Sequence, residues 1–555
     1  MINHCNRFRE SVAYRQQFLW KSVGWKQHFI FKLGFQITQK IIDLEYKFVK
    51  SFQIKKNFFD LEREFYSILL FLQSVKPIAM NGVIGRQEET KLLERYAQSG
   101  KAEFIAIYGR RRVGKTFLIN SIFGESFTFS MTGVLEGNKT AQMHAFADAM
   151  DLYGNPLEKK PKDWYDAFQM LRHFLMKKMS KNERCIVFID ELPCFDTRQS
   201  DFTNALGYFW NSWASLQDNL MLIVCGSATS WMMENVIDSH GGLHDRITHE
   251  MHLKEFTLYE TEQYLKASGF LWDRLLVLQT YMAFGGIPYY LSLLNKEESL
   301  AQNIDRLFFR SDGEMRREFH RLYKTLFNNP DPYITIIEAL FNKKKGLSRE
   351  EIAQTIGKES SGRLTKMLNN LVDCDLVRFY NIKKKKISKQ SGLYQLTDFY
   401  TAFYLQFVKG IENDEHFWTK SQNTPTVNTW RGLAFERVCL AHIPKIKKAL
   451  GIEAIKTTYY SWRSSTEEDI GRNAQIDLII ERADRMVNIC EIKYSPNSYL
   501  IDNEEHLRFQ NRIARFQQET AYSGGIIPVF ITPFGLQRNA YSEYIINCIV
   551  LDDLF

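Results

Sequence analysis

No apolar run in the 555 residues reaches the roughly 18 that a membrane-spanning helix needs. The nearest, residues 65–75, is too short, and residues 1–79 lack the continuous apolar core and small-residue cleavage site of a secretory signal. The sequence therefore predicts a soluble cytoplasmic protein. None of the eight cysteines stands in C-x-x-C spacing, so they read as buried free thiols of a reducing compartment. Neither sign of charge dominates. A net charge of +8 permits nucleic acid as a partner without arguing for it, because a dispersed surplus leaves no electrostatic footprint. With 45% hydrophobic and 25% charged residues, the composition excludes a disordered or fibrous chain. The length exceeds what one hydrophobic core serves and predicts three or four domains.

What is present begins with Gly109-Arg110-Arg111-Arg112-Val113-Gly114-Lys115-Thr116, which fits G-x-x-x-x-G-K-[ST]. An apolar run, Phe104 to Tyr108, precedes it. Phe117, Leu118, Ile119 and Ile122 follow at helical spacing, so the context reads strand, loop, helix. In that context the glycines let backbone N–H groups approach phosphate oxygens, and the helix presents its positive end to the same anion. Lys115 is placed to reach the β- and γ-phosphates of a nucleotide. Thr116 offers a hydroxyl to Mg²⁺.

Further strands are expected at Phe127 to Met131, Cys185 to Ile189 and Leu220 to Cys225, each short and apolar. The second of these ends in Asp190-Glu191. Asp190 suits a water-mediated hold on Mg²⁺, and Glu191 suits the polarisation of an attacking water. The last ends at Gly226-Ser227, where a sensor of the γ-phosphate would stand, though Ser227 and Ser230 could equally cap a helix. Arg246 is a candidate for steadying transition-state charge, with a surface ion pair as the plain alternative.

These motifs together, with Ile84-Gly85-Arg86 ahead of them and Phe284-Gly285-Gly286-Ile287-Pro288-Tyr289-Tyr290-Leu291 behind, resemble the AAA-like P-loop ATPases common in archaea and also found in bacteria, relatives of the signal-transducing NTPases. The resemblance implies ATP as the nucleotide, an additional-strand catalytic-glutamate sheet, and a helical lid over about 257–325 in which residues 285–288 make a tight turn.

Downstream, Ile336, Ile337, Leu340 and Phe341 form one apolar face, a capping box at Ser348 to Glu351 precedes Ile352 and Ile356, and Leu364, Met367, Leu368 and Leu371 form another. Two strand-like runs bracket the lysine-rich stretch 383–389. The pattern is a winged helix-turn-helix with a basic wing, and it places Arg363 and Lys366 on the exposed side of the third helix. In the last 125 residues, Asp477 on one strand precedes Glu491-Ile492-Lys493 on the returning strand, and alternation puts Glu491 and Lys493 on one face. With Glu436 the acids could bind a divalent cation while Lys493 serves a hydrolytic water. This region resembles the nuclease-like carboxyl-terminal domain of unknown function that accompanies the same ATPases, a relative of the restriction-endonuclease fold. Its E, D and E-x-K positions map onto Glu436, Asp477, Glu491 and Lys493, without a proline before Asp477.

The sequence therefore predicts an α/β protein. A basic aromatic extension or an over-extended reading frame occupies 1–79. A P-loop NTPase core with a parallel sheet follows at 80–256, a helical lid at 257–325, a winged helix-turn-helix at 330–410 and an α/β restriction-endonuclease-like domain at 425–555. The expected activity is that of a Mg²⁺-dependent ATPase, with cleavage by the last domain as an addition and a non-cutting, ATP-switched regulator as the alternative. DNA or RNA and a second copy of the chain are the candidate partners.

Overall fold

Alternation along the predicted strands decides the architecture. In the computed structural model, β1 (Glu103–Tyr108), β2 (Phe127–Thr132), β3 (Cys185–Asp190), β4 (Leu220–Gly226) and β5 (His249–His252) form one sheet in the order β2-β3-β4-β1-β5. All neighbours are parallel. The structure describes residues 83–555 apart from 181–182, 198–199, 239–242, 244, 344–345, 382–391, 412–413 and 465–474, so the amino-terminal extension and the lysine-rich stretch lie outside it. On β1, Phe104 and Ala106 enter one core with the helices Trp164–Lys178 and Phe202–Ser212, while Ile105 and Ile107 enter the core on the opposite face. Both faces are covered, as a parallel sheet requires. Because β4 lies between β1 and β3, the phosphate loop, the acid pair and Ser227 emerge side by side from one sheet edge.

Beyond β5 the chain turns into the helices Leu258–Ala267, Arg274–Phe284, Pro288–Ser292 and Glu314–Leu326. Gly286 is the fastening point. Its carbonyl accepts from Phe256 N at 2.6 Å, and a Cβ there would fall 1.9 Å from the Phe256 carbonyl oxygen, so a larger residue would push these segments apart.

The helices Asp331–Asn342, Arg349–Thr355 and Gly362–Asp373 precede an antiparallel pair, β6 (Val377–Asn381) and β7 (Gly392–Leu396). The capping box forms, with Glu351 N donating to Ser348 Oγ at 3.2 Å and Ser348 N to Glu351 Oε2 at 2.7 Å. Arg363 and Lys366 are both exposed on the third helix, as expected, and the helix also meets a neighbouring segment. Lys366 pairs with Glu234 at 2.9 Å, and Cys374 lies 4.0 Å from the Ser230 hydroxyl, so the helix leans on the segment that follows β4.

The last sheet is mixed, in the order β12-β11-β10-β9-β8: β8 (Thr457–Arg463), β9 (Gln475–Arg482) and β10 (Met486–Ile492) run antiparallel, and β11 (Gly525–Ile531) and β12 (Asn547–Ile549) continue it in parallel. Phe509, Ile513 and Phe516, spaced four and three apart on the helix Asn503–Thr520, cover one face through Ile479 and Ile489. The helix Pro425–Ala441 contributes Ala434, Val438 and Cys439 to the core on the other face. The seven described cysteines are free thiols; Cys194 is partly exposed and Cys548 exposed, against the expectation that all are buried. Among the described residues no helix is long and apolar enough to cross a membrane.

Candidate functional site

The phosphate loop owes its shape to backbone conformations that few residues adopt. Gly109 has φ 143° and Gly114 has φ 94°, and a Cβ on Gly109 would meet the Leu253 carbonyl at 2.3 Å. Lys115 Nζ donates to the carbonyls of Gly109 at 2.7 Å and Arg110 at 3.1 Å, holding the loop in a ring around the ammonium. Burial pulls the Lys115 pKa down, with Glu191 pulling the other way. Thr116 Oγ1 donates to Asp190 Oδ2 at 2.7 Å, and Glu191 N donates to Asp190 Oδ1 at 2.9 Å. Burial raises the Asp190 pKa against the Thr116 bond. A hydroxyl and a carboxylate in contact at the loop's base form an oxygen donor set that fits Mg²⁺ held partly through water.

Glu191 sits at φ 48° and ψ 51°, a left-handed conformation costly for a residue with a side chain and typical of functional positions. Its Oε2 accepts from the Ser227 hydroxyl at 2.7 Å and from Ser227 N at 3.2 Å. Ser227 thus addresses the acid rather than capping a helix, and the helix Thr229–Met232 has no side-chain cap. Phe117 stands exposed in the first turn after the loop, and Val113 is buried. Arg246 is exposed in the turn before β5, outside the hydrogen bonds that join Lys115, Thr116, Asp190, Glu191 and Ser227.

The side chains of the loop arginines reach beyond the motif. Arg110, Arg111 and Arg112 lend the loop their backbone, but their side chains leave it for segments far along the chain. Arg110 forms a buried ion pair with Asp398, 288 positions away, whose other oxygen accepts from Thr401 N at 2.8 Å. Burial opposes the Arg110 charge, yet Asp398 carries its pKa above the usual range. Arg111 donates to Thr325 Oγ1 at 2.7 Å, and Arg112 pairs with Glu318 at 2.7 Å with its guanidinium 4.1 Å from the Tyr289 ring centre. Asp398, Glu318 and Thr325 carry no motif, and only the fold reveals them. Asp398→Ala should destabilise the protein by about 3–5 kcal/mol, because it strands a buried guanidinium; denaturant unfolding beside the Arg110→Ala variant would show whether the pair accounts for it.

At the second constellation the structure gathers the residues only in part. Lys493 and Glu491 share a face and pair at 3.1 Å, as alternation predicts. Glu491 is also paired with Arg512 at 2.5 Å, and Lys493 with Glu505 at 2.9 Å. Burial works against the Lys493 charge, but these acids raise its pKa overall. Glu436 and Asp477 instead line a cavity of about 520 Å³ shared with Arg110, Glu255, Arg378 and Arg437. Among the described residues no group of three or more His, Cys, Asp and Glu side chains is arranged to hold a metal ion. Arg512, which holds Glu491 and also feels the charge of Asp477, is a partner that no spacing rule pointed to.

Residues 84–294 match a family described as an ATPase domain predominantly from Archaea. This segment is a P-loop ATPase domain. The chain is 26% identical over 372 residues to an uncharacterised protein of Methanocaldococcus jannaschii, covering 66% of this chain and 78% of that one. A second protein of that organism, an uncharacterised ATP-binding protein, is 56% identical over 36 residues, 6% of this chain and 61% of its own length. Among solved structures, a Walker-type ATPase of Pyrococcus abyssi aligns with 60% of this chain and 99% of its own at 16% identity and a TM-score of 0.42. The ATPase domain holds its loop from outside as well: Arg86 donates to the carbonyls of Val113 at 3.3 Å and Lys254 at 2.5 Å.

Proposed function

We propose that the protein is an ATP-hydrolysing switch in which the state of the nucleotide site sets the placement of the segments 331–396 and 425–555. The observation that carries this reading is the continuity from Glu191 to Ser227 to Ser230 and Cys374: the hydrogen bond that holds the catalytic acid lies three residues from the contact on which the helix Gly362–Asp373 leans. Lys115 would meet the β- and γ-phosphates. Thr116 and Asp190 would hold Mg²⁺, which supplies neutralisation of phosphate charge when bound. Glu191 orients the attacking water and takes its proton, and Arg246 is proposed to approach the developing charge when the lid closes.

For the carboxyl-terminal part we infer nucleic-acid binding without cleavage, since Arg512 already pairs with Glu491. Two measurements test the proposal on the full chain. Hydrogen exchange along the helix Gly362–Asp373 should change when a slowly hydrolysed ATP analogue and Mg²⁺ are added, and identical protection with and without nucleotide would refute the switch. Incubation with single- and double-stranded DNA and RNA, with Mg²⁺ or Mn²⁺, should give binding and no cutting. Cutting that disappears in Asp477→Asn, Glu491→Gln and Lys493→Ala would restore the nuclease reading.

A further inference from the structure

The cavity of about 520 Å³ is walled by three parts of the chain, and its cations are answered unequally. Arg110 has Asp398. Arg378, on β6, donates Nε at 2.8 Å and Nη2 to the amide oxygen of Gln395, and Arg437 donates Nε to the Leu396 carbonyl at 3.2 Å. Both acceptors are neutral, and among the described residues neither guanidinium forms an ion pair. Glu436 lies near enough to attract both arginines and Asp477 to attract Arg378, while Arg378 opposes the Arg437 charge. Two partly buried guanidiniums without a salt bridge are suited to an anion whose oxygens match two forks, a phosphate. The remaining wall is aromatic. Phe379, Tyr380 and Tyr459 line the cavity, Phe379 and Tyr459 are exposed, and the Arg378 guanidinium lies 4.9 Å from the Tyr380 ring centre. Flat faces beside cations suit a base beside its phosphate. The volume is that of a small-molecule site.

We propose that Arg378 and Arg437 hold the phosphate of one nucleotide in this cavity, with Tyr380 and Tyr459 stacking its base, and that the nucleotide is the end of a single strand or a free mononucleotide. The strand form rests on the reading of the carboxyl-terminal part as nucleic-acid-binding. The experiment uses the full chain carrying Lys115→Ala, so that the phosphate loop takes no nucleotide. The probes are a single-stranded hexanucleotide with a 5′-phosphate, the same strand without it, its duplex, and AMP. The phosphorylated strand should bind best, and Arg378→Gln with Arg437→Gln should weaken it on the order of 10- to 100-fold, the loss of charge-assisted hydrogen bonds. The melting midpoint is measured beside binding, because the change also removes the bonds to Gln395 and the Leu396 carbonyl, and a folded double variant is the one that tests the site. If the double variant fails to fold, Arg437→Lys, which keeps the charge and loses the fork, carries the test with a smaller loss expected. Unchanged strand binding in a folded double variant would overturn the site and leave the nucleic-acid reading standing. Binding of AMP but no strand, lost in the same variants, would keep the site and overturn that reading. No binding of any probe would overturn both.

Discussion

Glu191→Gln is expected to leave ATP bound while turnover falls roughly 10²- to 10⁴-fold, the range for removal of a positioned general base. The amide preserves the shape of the side chain and an oxygen that can accept from Ser227, so the acid's neighbours should stay in place. What is lost is the negative charge that draws a proton from water. Equilibrium binding of ATP beside single-turnover hydrolysis separates the two effects. Turnover equal to the parent's would show that another group activates the water.

Lys115→Ala should act one step earlier, on affinity. The ammonium is buried and already held by two loop carbonyls, so it is preorganised for phosphate and gives up little side-chain freedom on binding. Removal of one partner from such a charged contact costs about 2–5 kcal/mol, on the order of 30- to 5,000-fold in Kd. Calorimetric titration with ATP and Mg²⁺ measures it. An unchanged Kd would place the nucleotide elsewhere.

Much of the ATPase domain was legible because its evidence is short-range. The runs at Cys185 to Ile189 and Leu220 to Cys225 are almost uniformly apolar, and they became β3 and β4 with one residue added to each. The strand β5 went unread because His249-Glu250-Met251-His252 has the composition of a loop; it is a strand only because β1 offers it an open edge. The acid pair was legible from its place at a strand end. Glu191's hold on Ser227 was not, since it depends on β4 lying beside β3. The loop arginines show the limit most plainly. The motif reads only their backbone, while Arg110 and Arg112 answer Asp398 and Glu318, and no local pattern registers a partner hundreds of residues away. At the carboxyl-terminal constellation, alternation placed Glu491 beside Lys493, but the helix that delivers Arg512 approaches from outside the motif.

The same long-range arginines bear on how the chain divides. By motif it reads as separable modules, and residues 84–294 are the natural piece to excise. Yet one continuous apolar cluster runs from Leu93 through Tyr323, Leu371 and Val438 to Leu554, and three loop guanidiniums are answered from beyond residue 294. Excision would expose that cluster along its cut side and leave Arg110 without its counter-ion. The fragment should therefore aggregate or melt well below the full chain, and heating the intact described unit, Gly82–Phe555, should give one cooperative transition rather than a staircase. Its parts read as modules but should melt as one body.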